Sequence, residues 1–79
     1  MKNKKFLEMM KEKGLSARRL AEKIGVSDVS VGHWLSGRNL PSVVQLFKLS
    51  KVFDKTVDEL YWMFKNNQKQ NSLYGVQKG

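Results

Sequence analysis

Apolar residues recur along this chain at intervals of three and four, and serines, threonines and glycines interrupt them at regular points. A helical period broken by residues that start and stop helices predicts a succession of short amphipathic helices. The first covers residues 3–13, with Phe6, Met9, Met10 and Lys13 at helical spacing and lysines on the remaining face. Gly14 follows it as a residue that accepts left-handed backbone. Ser16 offers a hydroxyl to the free amides of a second helix over residues 17–24, whose apolar face is Leu20, Ala21 and Ile24 and whose stop is Gly25. Ser27 opens a third over residues 28–36, with Val31, Trp34 and Leu35 on one side and Gly37 at its close. Ser42 with Gln45 forms a capping-box pattern for a fourth helix over residues 43–53. Thr56 with Glu59 repeats that pattern for a fifth, from residue 57 to about residue 64.

No strand pattern of useful length and no internal repeat appears, so the expected fold is all-α, a compact five-helix bundle. Each helix is too short to persist alone and must be held by its apolar stripe against its neighbours. The fourth is expected to bury Val43, Leu46, Phe47, Leu49, Ser50 and Phe53, and the fifth Val57, Leu60 and Tyr61. Trp62, Met63 and Phe64 are then left over. A helix cannot turn the five consecutive apolar residues Leu60 to Phe64 toward one core, so part of the run is either covered by the tail or buried between two subunits. Residues 1–64 read as the domain. Residues 65–79 read as a polar, flexible tail, with Leu73, Tyr74 and Val76 as exceptions.

Composition narrows the function. Fifteen Lys and Arg against seven Asp and Glu leave +8 on 79 residues, which suggests a polyanionic partner. The charge is spread along the chain: residues 1–38 hold nine cations and four acids, residues 39–79 six and three. With no cysteine, disulfide frameworks, thiolate zinc sites and thiol nucleophiles are excluded. The longest apolar run is five residues where a membrane span needs about 20, and the amino terminus lacks a signal peptide's apolar stretch. A cytoplasmic protein without membrane association is expected. One histidine and scattered carboxylates give no catalytic constellation, and neither a cofactor nor a metal site is expected.

Residues 17–36 carry the chemistry. Two helices of eight or nine residues are joined by Gly25-Val26-Ser27, with small Ala21 where they cross and Val31 and Trp34 on the inner side of the second. That is the steric recipe of a helix-turn-helix, although any helical hairpin wants a glycine in its turn and an alanine at its crossing. The wider pattern resembles the phage-repressor (Cro and lambda-repressor-like) helix-turn-helix family. The resemblance runs through Gly14-Leu15-Ser16, Leu20-Ala21-Glu22-Lys23-Ile24-Gly25-Val26-Ser27, Trp34-Leu35-Ser36-Gly37-Arg38 and Pro41-Ser42, and the stretch from Asp54 to Leu60 is similar to that family's last-helix motif. It covers about residues 3–64. It implies a lambda-repressor-like domain that binds double-stranded DNA, as a dimer on a two-fold symmetric operator, with the third helix in the major groove.

At about 100° per residue, the third helix turns Val29, Gly32, His33 and Ser36 away from the core. Val29 can touch a thymine methyl, His33 can donate to guanine N7 or O6, and Gly32 can admit close approach of backbone to DNA. Asp28 matches a position that commonly reads a base in the family; it either accepts from a cytosine amino group or complements the positive end of its own helix. Phosphate contacts are expected from Ser16 and Ala17 at the start of the second helix and from Ser27 and Ser30 at the start of the third. Arg18, Lys23, Ser36, Arg38 and Asn39 complete the set, with Arg19 a weaker candidate.

The family commonly pairs an arginine at the position of Met10 with a glutamate at that of Leu35. Both are apolar here, and joint replacement of a buried ion pair by packed apolar groups need not cost stability, so Met10 and Leu35 are expected to touch. Related domains dimerise near their carboxy-terminal helices, which assigns Trp62, Met63 and Phe64 to a homodimer interface. The expected function is sequence-specific transcriptional regulation, by repression. The alternative is a DNA-binding antitoxin or accessory protein that binds a protein partner through its last helix.

Overall fold

The computed structural model describes residues 3–66, which form five helices: α1 (Lys4–Glu12), α2 (Ala17–Ile24), α3 (Asp28–Ser36), α4 (Val43–Phe53) and α5 (Val57–Asn66). No strand occurs among the described residues. The expected caps explain the boundaries. Ser16, Ser27 and Ser42 each lie in extended backbone and accept, through Oγ, from the amides of Arg19, Ser30 and Gln45 at 3.1–3.2 Å. Gln45 Oε1 accepts from the Ser42 amide at 2.8 Å, completing the capping box. Glu59 and Thr56 exchange the same two bonds at the start of α5. At the first helix the structure moves the boundary by one residue. Asn3 is the cap, its Oδ1 accepting from the Phe6 amide at 3.1 Å, so the helix begins at Lys4.

Helix α2 packs on α3 and α4 on α5, while α1 bridges α3 and α5. At the centre lies the fully buried Phe6 ring, edge-on to Phe53 and to Phe64, and Phe64 in turn stands edge-on to Trp34. Such pairs add about 0.5–1.5 kcal/mol each beyond the area they bury. The Asn3 amide donates to the Leu35 carbonyl at 2.7 Å and ties the start of α1 to the end of α3. Met10 is buried in the central cluster and Leu35 packs against that cluster.

Three expectations of burial are corrected. Phe64, assigned from sequence to a subunit interface, is 2% exposed and belongs to the domain's own core. Val43 and Phe47, assigned to the core, are 77% and 55% exposed, because α4 turns Leu46, Leu49 and Phe53 inward and none of the other four helices covers its opposite side. Tyr61 is also exposed and stands edge-on to Trp62. Helix α5 ends at Asn66, a little beyond Phe64 as the sequence pattern allows. Leu73, Tyr74 and Val76 lie outside the described residues.

Candidate nucleic-acid interface

Two short helices and the loop after them build the candidate surface. Helix α2 stops because Gly25 takes left-handed backbone at φ 76, from which its amide and that of Val26 both return to the Ala21 carbonyl, at 2.8 and 3.0 Å. The chain turns within three residues, and Ser27 restarts it as α3. Lys48 reaches across from α4 and donates to the Ile24 carbonyl at 3.3 Å, holding the end of α2 from outside the motif. No periodicity marks Lys48 for this task, since its partner is 24 residues away.

The inner side of α3 is Val31 and Trp34, both buried. Val29 is 59% exposed, an apolar side chain standing out on a surface that its own domain does not cover. A Cβ on Gly32 would meet nothing within 4 Å, so this glycine is demanded neither by packing nor by its backbone angle. Asp28 is exposed in the first turn of α3, where its charge faces the positive end of the helix. His33 is half-buried in the last turn. The structure thus brings Val29, Gly32 and His33 to one side, away from the core residues.

The residues named for phosphate contact lie in or beside α2 and α3. Arg18, Lys23, Arg38 and Asn39 are exposed, as is Arg19, and Ala17 is half-buried. Helix geometry leaves the first amides of α2 and α3 without carbonyl partners inside the helix. Ser16 occupies one of them, at Arg19, and the Ala17 and Arg18 amides lie beside it in that first turn. Ser16 Oγ accepts in this bond and keeps its proton to donate elsewhere. Ser27 and Ser30 share a hydroxyl bond at 3.1 Å, so one of their two protons is already placed. Ser36 donates its proton to the His33 carbonyl at 3.1 Å; toward a phosphate, which needs donors, it offers only lone pairs.

Gly37, left-handed at φ 82, folds the chain back over the end of α3. The amides of Arg38 and Asn39 then donate to the same His33 carbonyl, at 2.9 and 3.4 Å. The loop is therefore fastened to the helix whose side chains it flanks. Among the described residues no group of His and acids is arranged to hold a metal ion, and no helix is long and apolar enough to cross a membrane.

A compact all-α domain in which two short capped helices meet through a left-handed glycine, with exposed cations in and beside them, defines a DNA-binding module. The helix-turn-helix family profile matches residues 7–60, and the chain belongs to that family, with the Cro and lambda-repressor-like fold. It is 36% identical over 58 residues to the HTH-type transcriptional activator BcrR of Enterococcus faecalis, a match that covers 73% of this chain and 28% of that protein. The chain thus spans well under half the length of this relative. No solved structure gives a significant match.

Proposed function

We propose that the protein occupies a two-fold symmetric operator as a homodimer and represses transcription by excluding polymerase from the DNA it covers. Asp28, Val29, Gly32 and His33 read bases, and Ser16, Ala17, Arg18, Lys23, Ser27, Ser30, Arg38 and Asn39 hold phosphates. The observation that carries this reading is the outward side of α3, where Val29 is 59% exposed beside Gly32 and His33, on a domain whose Arg18, Lys23 and Arg38 are exposed in or beside the same helix pair; it offers apolar and hydrogen-bonding groups for base edges and cations for the backbone. The chain has no catalytic role in this reading, and it works in the cytoplasm.

The contact between subunits is assigned to α5 through Trp62, which is 58% exposed, and its half-buried neighbour Met63. Charge supports the choice. The hollow beside Trp62 carries Glu8, Glu12 and Glu59 against Lys5 and Lys55, so two copies of a +8 chain meet there with little repulsion. The relative's printed role as an activator supports a second reading, in which the bound dimer assists transcription. Enrichment of operators from randomised duplex DNA tests the proposal: one palindromic consensus supports it, and no enrichment ends it. Fusing that operator to a reporter gene then separates repression from activation.

A further inference from the structure

His33 has a side-chain neighbour in the loop that follows its own helix. The turn at Gly37 and the two amides received by the His33 carbonyl fix the backbone of Asn39 against the end of α3. Its side-chain Nδ2 then lies 3.4 Å from His33 Nδ1. An amide NH2 donates and cannot accept, so Nδ1 is the bare nitrogen of this pair. In a neutral imidazole the one ring proton then belongs to Nε2, on the far side of the ring from Asn39.

We propose that Asn39 is a positioning residue that holds His33 as its Nε2–H tautomer, so that this point of the surface selects a base edge presenting acceptors, as guanine does with N7 and O6, over one presenting an amino group. The proposal rests on the DNA-reading function proposed above and deepens it by naming the polarity of one contact. A histidine free to exchange tautomers reads both kinds of edge, donating through Nε2 in one form and accepting in the other. One held by Asn39 discriminates, because an amino group brought to Nε2–H sets donor against donor. Asn39 therefore has a role distinct from any phosphate contact it makes: it acts on sequence preference through another side chain.

His33 is the single histidine of the chain, so its ring nitrogens are read without assignment ambiguity in 15N-labelled protein. The spectrum is recorded on the free protein in the alkaline range where further rise in pH leaves the ring signals unchanged. The native protein is expected to show a protonated Nε2 and a bare Nδ1. Asn39→Asp, whose carboxylate accepts from Nδ1–H, is expected to reverse the two, and Asn39→Ala to leave a mixture. In parallel, binding is measured to two duplexes that differ only at the base pair whose preference His33→Ala abolishes, with guanine in one and cytosine, whose edge shows only an amino group, in the other.

The native ratio of affinities favours guanine by about tenfold or more, and Asn39→Asp removes or inverts it. Because the readout is a ratio, a uniform loss of affinity through phosphate repulsion cancels. A native spectrum with Nδ1 protonated, or a tautomer unchanged in both variants, overturns the proposal, as does an unchanged base ratio in the face of a reversed tautomer. A native protein without preference for any duplex overturns the regulator reading and base selection together, while the ring spectrum still decides what Asn39 does to His33.

Discussion

The ring of Phe6, near the start of the domain, meets the ring of Phe64, near its end, edge to face with centroids 4.8 Å apart and planes at 69°. This contact closes the bundle, since it joins α1 to α5 across a centre where both residues are buried. Phe64→Ala is expected to leave a cavity between Phe6 and Trp34 and to destabilise the domain by about 3–5 kcal/mol, measured by chemical denaturation. A loss below about 1 kcal/mol would return Phe64 to the surface role that the sequence pattern gave it.

The neighbouring residue is expected to behave in the opposite way. Trp62 is largely exposed, so Trp62→Glu should change the stability of the isolated subunit by no more than about 0.5 kcal/mol. With α5 as the proposed subunit contact, the variant should sediment as a monomer where the native protein sediments as a dimer, and should bind its operator more weakly. An unchanged oligomeric state would remove Trp62 from the interface and direct attention to the exposed Val43, Val44 and Phe47 of α4.

Burial on α4 and α5 shows where sequence reasoning stops. Serine caps and glycine stops act on the nearest few amides and carbonyls, so the spans of α2, α3 and α4 were legible from Ser16, Gly25, Ser27, Gly37 and Ser42 alone. Helical period on α4 does not rank two apolar sides, and Val43 and Phe47 fit a core stripe as well as Leu46 and Leu49 do. Which side is covered depends on where α1, α2 and α5 lie. Phe64 was misplaced for the same reason, because its partners Phe6 and Trp34 belong to helices remote in sequence. On the candidate site, the outward positions of Val29 and Gly32 follow from angle counting. The pairing of Asn39 with His33 depends on a turn geometry that no spacing encodes.

Gly32 separates stability from function. It lies inside a helix with open space where a Cβ would stand, so Gly32→Ala should stabilise the free protein by about 0.8–1 kcal/mol. If the same space is occupied by DNA in the complex, the variant binds its operator more weakly while melting at a higher temperature. Tighter or unchanged binding would show that α3 does not approach DNA at this point.

Acid should weaken the start of α5 through Glu59. The Thr56 amide holds the carboxyl pKa below its ordinary value of 4.5; desolvation opposes it in part, and the Thr56 hydroxyl and the Lys55 charge add smaller downward effects. A carboxylate with a depressed folded-state pKa contributes stability above its unfolded pKa and loses it as pH falls through the folded value. The stability difference between the native protein and Glu59→Ala should therefore be constant near neutrality and narrow as pH falls below about 4.5. A difference independent of pH would mean that the ionised carboxylate adds nothing to the cap.

In the proposed function, exposed cations supply attraction while the side of α3 around Val29, Gly32 and His33 supplies choice. Its most direct test is to titrate the native protein against an enriched operator and against a scrambled duplex of equal length over a range of salt concentrations. Affinity for both should fall steeply, by about 0.9 log units per log unit of salt for each phosphate contacted, while the operator stays favoured by about a thousandfold or more. Two titrations that coincide at every salt concentration would contradict the account.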